Sequence, residues 1–415
     1  MRKWMVVLFV AATLAGCVMR KNEPARRFER LLSRIERNGD AAQKQQLVDE
    51  FFRDLQPGAY PFFPSDTAYV LVYRGAKDSV GVLGDMNNWT QAAWMTHVAG
   101  TDLFYHRGTA PAGARLEYWF VFGKNSLWSV DPLNPAKSLN GFGELSELAM
   151  PRYEQHPFFA EYRSGRKGSA AGLKVHEMDS AVLGYPHAIH VYLPPGYATT
   201  QRYPALYLQD GIDYVEFAQV PQMLDQLIRS RRIRPLIAVF VTPPNRFQPG
   251  MPNRMTEYGL NDTYVRFFAD ELVPFIGRTY AALDDPRARL VAGDSFGGLI
   301  SAYIPFLRPE VFGYGYSQSG YLSFKGDTLI RLYRDTPKRP VRLYVDSGTY
   351  EETVGASFLP AAETNFIAAN RRFEKVLAAQ GYEFVYREYP EGHTWGNWRR
   401  HLIDALIWFF PGEKP

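Results

Sequence analysis

The chain changes its hydrophobic rhythm twice. From residue 172 onward, short apolar runs alternate with longer segments of helical period. The runs at 173–179, 187–193, 204–209, 235–241, 288–293, 312–317, 341–346 and 383–389 read as strands. Tyr264 to Tyr280 reads as a helix. Ala361 to Gln380 is another, with Phe366, Ala369, Phe373 and Leu377 on one face and Gly381 where a C-terminal cap belongs. Leu402 to Phe410 closes the chain as an apolar helix. Strands alternating with helices predict a mostly parallel sheet of eight strands, covered on both faces.

Residues 61–153 follow another pattern. Tyr69–Tyr73, Ser79–Leu83, Leu103–His106 and Leu116–Phe122 are short strand candidates. Turn-rich segments separate them: Gly84-Asp85-Met86-Asn87-Asn88-Trp89, Ala110-Pro111-Ala112-Gly113 and Asp131-Pro132-Leu133-Asn134-Pro135. Short strands, frequent turns and no helical period predict a small immunoglobulin-like β-sandwich. Ahead of it, residues 18–60 place Phe28, Leu31, Leu32, Ile35, Leu47 and Phe51 at helical spacings, broken by Asn38-Gly39-Asp40. These are two short helices, a tether or a pair packed on the next domain. Residues 154–171, with Pro157, Gly165 and Gly168, read as a linker, so the last domain is 172–415.

The first 17 residues stand apart. Arg2 and Lys3 precede an apolar stretch of 11 residues, Trp4 to Leu14. That is shorter than the roughly 20 residues a membrane-crossing helix needs. Leu14-Ala15-Gly16-Cys17 follows, with small residues where a signal peptidase cuts. The segment resembles a bacterial lipobox, which implies that Cys17 becomes the first residue of an exported protein and carries lipid. Val18, rather than Asp, implies the outer membrane, facing the periplasm or the cell surface. Cys17 is the one cysteine of the chain, so no internal disulfide is available.

Composition narrows the picture further. At 415 residues, 46% hydrophobic and 22% charged, the chain is long enough for two globular domains. Its net charge of +4 falls to +2 without Arg2 and Lys3. The short basic run Arg231, Arg232, Arg234 reads as a solvated helix end. Charge therefore gives no case for a nucleic-acid partner.

The chemistry centres on Gly293-Asp294-Ser295-Phe296-Gly297. Alone, Gly-x-Ser-x-Gly recurs by chance. Here an apolar strand precedes it and a helix-forming segment follows. That context predicts a sharp strand-to-helix turn that exposes Ser295 as a nucleophile, and with eight strands it suits an α/β-hydrolase. Gly293 and Gly297 leave room where backbones approach, and Gly298 removes another side chain. The Phe296 N–H, at the helix start, can face the oxygen of a tetrahedral intermediate. A second donor belongs in the loop after 204–209. Ile212 is nominated there, with Gly211 and Asp213 as neighbours. Asp210 and Asp213 have no clustered His or Cys, so no metal or cofactor is expected.

A serine hydroxyl needs a base. The chain has eight histidines, and only His393 and His401 follow Ser295. His393 lies in a loop after the last strand, within Pro390 to Arg399, where it can reach the nucleophile. His401 lies in the closing helix, facing solvent or packing, and His187 and His190 read as fold residues. The acid should follow 341–346, which leaves Asp346, Glu351 and Glu352 open.

Residues 172–410 resemble the esterase family that includes enterochelin esterases, feruloyl and acetyl-xylan esterases, S-formylglutathione hydrolases and mycolyltransferases. The matching segments are Val191 to Tyr197, Pro204 to Gly211, Asn253-Arg254-x-x-Glu257-Tyr258, Glu271-Leu272-x-Pro274, Val291 to Leu299, Ser317-Gln318-Ser319-Gly320 and Gly392-His393-x-Trp395-x-x-Trp398-Arg399. The sandwich resembles the early-set domains of glycogen-binding modules and of enterochelin esterases. It does so through the Gly84 to Trp89 signature and Asp131-Pro132-x-Asn134-Pro135. The resemblance implies a triad of Ser295, His393 and Glu351, with Asp346 as the alternative acid. It implies that Arg254 and Glu257 flank the substrate pocket, where Arg254 meets an anionic group or forms a loop-fixing salt bridge. Trp395 and Trp398 brace the histidine loop. Trp89 reads as core, whereas Trp94 and Trp128 are open to sugar binding. Asp294, before the nucleophile, departs from the usual Gln, Glu, Asn or His. The expected function is a serine carboxylic-ester hydrolase acting outside the cytoplasm on siderophore-type or acylated-glycan esters. Acyl transfer to another alcohol, or glycan binding by a vestigial hydrolase, are the alternatives.

Overall fold

The computed structural model describes residues 22–123, 127–141, 143–159, 168–245, 250–355 and 357–412. The leader and Cys17 lie outside the described residues. Two compact units emerge, one running to Ser138 and including Glu144–Gln155, the other comprising Leu139–Gly143 and the chain from His156.

In the first unit, helices α1 (Glu23–Glu36) and α2 (Ala41–Arg53) turn Phe28 and Phe51 onto Phe62 of strand β1 (Phe62–Ser65). Asp40 caps α2 by accepting from the Gln43 N–H at 2.8 Å. Strands β2 (Ala68–Arg74), β3 (Val80–Gly84), β4 (Ala93–Trp94), β5 (Thr96–His97), β6 (Leu103–Thr109), β7 (Arg115–Phe122), β8 (Leu127–Ser129), β9 (Lys137–Asn140) and β10 (Gly143–Ala149) complete two sheets. One is ordered β1-β2-β6-β5 and the other β4-β3-β7-β10-β9, with β8 beside β7. Every pairing in the first sheet is antiparallel, as are those of β7 with β3, β8 and β10. Tyr73 of β2 meets Phe120 and Phe122 of β7, joining the sheets through an apolar interior. The signature residues here hold turns. Asn87 accepts from the Gly84 N–H and donates to the Val82 carbonyl, while Asp131 accepts from the Tyr60 and Tyr118 hydroxyls. Trp89, expected in the core, is only partly buried: its indole N–H is tied to Asp85 and its ring rests edge-on against Trp119. A polar indole edge favours such a boundary position.

The second unit carries one eight-stranded sheet. Its strands are β11 (Lys174–Asp179), β12 (Pro186–Tyr192), β13 (Ala205–Leu208), β14 (Ile237–Thr242), β15 (Arg289–Asp294), β16 (Tyr314–Gln318), β17 (Arg342–Gly348) and β18 (Glu383–Tyr389). The order is β11-β12-β14-β13-β15-β16-β17-β18. The β11–β12 and β12–β14 pairs are antiparallel, and every later pair is parallel. The central strands are apolar throughout because both faces are covered. Ala205 and Tyr207 face one core, Leu206 and Leu208 the other, as the two-residue side-chain period requires. This is the α/β-hydrolase arrangement.

Three local readings change. The helix expected from Tyr264 to Tyr280 is α3 (Asp262–Arg266), a wider π-turn at Phe267–Leu272, and α4 (Val273–Thr279). Pro274 has no N–H to give the carbonyl four residues back, and the ladder loosens just before it. The helix expected over Ala361–Gln380 starts at Phe366, where Asn365 caps the Ala368 N–H at 2.9 Å. The closing helix spans Trp395–Phe409 and begins seven residues before the apolar run at Leu402. Its first two turns hide behind Gly396, Asn397 and Arg399, polar or flexible residues that are nonetheless buried. The loop carrying His393 is correspondingly short.

Candidate active site

The geometry begins at the end of β15. The strand runs into Ser295, whose φ of 56° and ψ of −117° no ordinary side chain favours, and then into helix Phe296–Leu307. The turn closes because its glycines are small. A Cβ on Gly293 would lie 2.6 Å from the Gly297 backbone, and one on Gly298 would lie 3.0 Å from the Gln318 carbonyl oxygen. The strained residue is held at both ends. Its N–H donates to the Gln318 carbonyl at 2.8 Å, and its carbonyl accepts from the Tyr321 N–H at 2.9 Å.

His393 Nε2 lies 3.0 Å from Ser295 Oγ, although 98 residues separate the two. The imidazole is held edge-to-face by Phe366 at 5.1 Å and Trp398 at 4.9 Å. Beyond it, Glu351 Oε2 stands 3.5 Å from His393 Nδ1. Glu351 is fully buried and accepts from Ser319 Oγ at 2.5 Å, Ser347 Oγ at 3.0 Å and the Gly348 N–H at 2.9 Å. Three donors fix a carboxylate in this orientation. Ser319 is itself held by the Trp398 indole N–H at 2.9 Å. Ser319 and Trp398 thus form a chain behind the acid. For Ser319 the sequence offered only a signal without a role, its place in the Ser-Gln-Ser-Gly segment, whereas Trp398 was expected to brace the histidine loop.

The other carboxylates are placed differently. Asp346 is buried and accepts from the Tyr316 hydroxyl at 2.5 Å. Burial pushes its carboxyl up to about 7, against the smaller opposing pulls of His401 and the Tyr316 hydroxyl. Glu352 is exposed. His401, expected to face solvent or pack, is buried in an ion pair with Glu391 at 2.8 Å.

The oxyanion candidates also separate. Among the described residues the Phe296 N–H has no hydrogen-bond partner, so it is unspent. Ile212 donates its N–H to Thr242 Oγ1 at 3.1 Å, and Asp213 donates to the Asp210 carbonyl at 2.9 Å. Of the three neighbours in that loop, Gly211 retains a free N–H among the described residues. Its backbone runs so close to β14 that a Cβ would lie 2.4 Å from the Phe240 carbonyl carbon.

Arg254 and Glu257 do not face each other as a pair. Arg254 grips Asp210 with Nε at 2.8 Å and Nη2 at 2.7 Å. Glu257 is buried and accepts from the Tyr185 hydroxyl at 2.9 Å, with His187 Nε2 at 2.8 Å. Both contacts fall on Oε1, inside the domain, and Oε2 is buried without a hydrogen-bond partner among the described residues. Trp395 packs against Tyr214, Phe217 and Trp398. Among the described residues no group of three or more His, Cys, Asp or Glu could hold a metal ion. No described helix is long and apolar enough to cross a membrane.

A serine on a strand-to-helix elbow, within hydrogen-bond reach of an imidazole on an eight-stranded mostly parallel sheet, defines the hydrolase class of α/β proteins. Residues 180–409 match the family described as Putative esterase, and the chain belongs to that family. It is similar to the iron(III) enterobactin esterase of Dickeya dadantii, 26% identical over 293 residues, which are 69% of this chain and 66% of the relative. It is also similar to an endo-1,4-beta-xylanase/feruloyl esterase of Xylanibacter ruminicola, 32% identical over 187 residues, 42% of this chain and 24% of that protein. The chain thus spans about two-thirds of the first relative and a quarter of the second. Among solved structures, the ferric enterobactin esterase of Salmonella typhimurium superposes with a TM-score of 0.69. The identity is 20%, over 83% of this chain and 94% of that one, a likeness of fold.

Proposed function

We propose that the protein is a serine carboxylic-ester hydrolase with Ser295 as nucleophile, His393 as general base and Glu351 as the acid that orients it. The observation that carries this reading is the 3.0 Å approach of His393 Nε2 to Ser295 Oγ at a strained elbow. His393 takes the Ser295 proton as Oγ attacks the ester carbonyl. The oxyanion is met by the Phe296 N–H and by the Gly211 N–H, since Thr242 takes that of Ile212. The intermediate collapses, the alcohol leaves with the proton returned by His393, and an acyl group remains on Oγ. Water, deprotonated by the same imidazole, then releases the carboxylic acid and restores Ser295. Glu351 stabilises the imidazolium formed in each half-reaction.

The enterobactin esterase and the feruloyl esterase to which the chain is similar support two substrate classes, siderophore-type esters and acylated glycans. The leader and its Cys17 support a site of action outside the cytoplasm, on a lipid anchor at the outer membrane. The catalytic domain is 172–415, and the sandwich 61–153 precedes it.

Ser295→Ala tests the assignment. The variant should fold as the wild type does and lose hydrolysis of a chromogenic acyl ester. Undiminished turnover by it would falsify the reading. A parallel screen of ferric enterobactin, feruloyl-arabinose esters, acetylated xylan and short acyl esters identifies the substrate.

A further inference from the structure

Two residues of the second unit carry strain beside the nucleophile. Ser295 has its φ at 56°, and Asp210, which precedes the Gly211–Ile212 loop, has φ 52° and ψ 41°. Neither is glycine, so each conformation persists only if its neighbours hold it. One guanidinium touches Asp210 and Asp294, the residue that leads into Ser295. Arg254 Nε is 2.8 Å from each carboxylate oxygen of Asp210, and Nη2 is 2.7 Å from Oδ2. The same Nη2 donates to the Asp294 carbonyl at 3.3 Å and stands 3.9 Å from the Asp294 carboxylate. Tyr258, one helical turn after Arg254 in helix Arg254–Tyr258, accepts from the Asp210 N–H at 2.9 Å. Arg254 also lies over the Tyr258 ring, 5.2 Å from its centroid. Asn253 fixes the helix by accepting from the Met255 and Thr256 N–H groups. The two strained segments also touch directly. A Cβ on Gly297 would sit 3.2 Å from Asp210 Oδ2.

Resting on the esterase reading, we infer that Arg254 is a positioning residue of the oxyanion hole: its guanidinium, clamped on Asp210 and on the Asp294 carbonyl, sets the spacing between the Gly211–Ile212 loop and the Phe296 N–H. Its geometry leaves little for a substrate anion, since the side chain is 10% exposed and two edges of the fork are occupied by protein. It has an electrostatic role as well. Asp210 and Asp294 are buried carboxylates beside the point where negative charge develops in the transition state, and Arg254 faces both. Without it, both would oppose the oxyanion in a medium that screens poorly. This also accounts for the unusual Asp294 at the position before the nucleophile.

The test compares the full-length wild type with Arg254→Met, Arg254→Lys, Asp210→Asn and the Asp210→Asn/Arg254→Met double variant. Two readouts are taken: the rate at which a fluorophosphonate labels Ser295, located by peptide mass, and kcat and KM for a neutral and an anionic chromogenic ester. Arg254→Met should lower both the labelling rate and kcat about 30-fold, less than the roughly 100- to 1,000-fold lost when an oxyanion-hole donor is itself removed, because both donors remain and are only displaced. KM should hold within about 2-fold on both esters, since substrate binding does not use the clamp. Arg254→Lys keeps the charge without the fork and should fall between. The double variant should be no worse than Arg254→Met, because the two groups act as one pair. If Arg254→Met fails to fold, Asp210→Asn carries the test, with a smaller loss in kcat and none in KM. Labelling at the wild-type rate by the folded variants overturns the inference, as does a rise in KM confined to the anionic ester. Absence of Ser295 labelling in the wild type overturns the esterase reading itself and this inference with it.

Discussion

Replacing Glu351 by Gln removes a charge and leaves the shape. The carboxylate lies 3.5 Å from His393 Nδ1, with the acid fully buried and the histidine side chain 18% exposed. At an effective dielectric of about 20, unit charges at that separation attract by about 5 kcal/mol. This bounds how much Glu351 stabilises the imidazolium, and each 1.36 kcal/mol is tenfold in rate. A second effect acts in the same direction. Ser319 Oγ and the Gly348 N–H both donate to Oε1, so the amide oxygen of Gln settles there. Its NH2 then points towards Ser347 and His393. An amide donor at Nδ1 holds the imidazole proton on Nε2, the nitrogen that must receive the Ser295 proton. Since Gln retains part of the interaction as a dipole, kcat should fall about 1,000-fold with little change in KM. The assay is steady-state hydrolysis of a chromogenic ester by the variant, with thermal unfolding as the control for folding. A kcat within about 3-fold of wild type would refute the role given to Glu351. So would a 1,000-fold loss in Asp346→Asn instead.

Asp346→Asn keeps the Tyr316 hydrogen bond through its amide oxygen and should leave kcat within a few-fold of wild type. Its stability should respond to pH in a defined sense. The carboxyl titrates near 3.8 when unfolded and about 7 when folded, so between those values the unfolded chain releases a proton that the folded chain retains. Wild-type stability therefore falls as pH rises from about 4 to about 7, and Asn removes that slope. The difference in Tm, variant minus wild type, should grow across this window; a constant difference would contradict the buried, protonated Asp346. Ser319→Ala deletes the 2.5 Å donor to Glu351 and the acceptor of the Trp398 indole. About a tenfold loss in kcat at unchanged KM is expected, and undiminished kcat would show that the chain behind the acid does not position it.

The strand pattern of the second unit was legible because central strands buried on both faces are continuous apolar runs, and all eight sheet strands fall within two residues of the runs read from sequence. The elbow that carries Ser295, the proposed nucleophile, was legible because a strained turn can be built only from a few small residues, which leaves Gly293, Gly297 and Gly298 as a local trace. His393 followed from chain order and a short supply of histidines. What depends on long-range packing was not legible. Asp346 and Glu351 are five positions apart, and choosing between them from sequence required a family resemblance. In the structure Asp346 turns to Tyr316, while Glu351 is drawn to His393 by donors from two segments. Arg254 and Glu257 have one helical turn between them but face different partners, Asp210 and His187. The start of the last helix was hidden because Asn397 and Arg399 are buried despite their polarity. Ile212 was a reasonable donor by position, but the hydroxyl of Thr242, 30 residues away, takes its N–H.

The most direct test is to trap the acyl-enzyme. Full-length protein mixed with an excess of an activated ester, quenched in acid on the millisecond scale and digested, should yield a peptide containing Ser295 heavier by the mass of the acyl group. The adduct should decay at the rate of product release and be missing from Ser295→Ala. An adduct on another residue, or steady ester hydrolysis that persists in Ser295→Ala, would contradict the account.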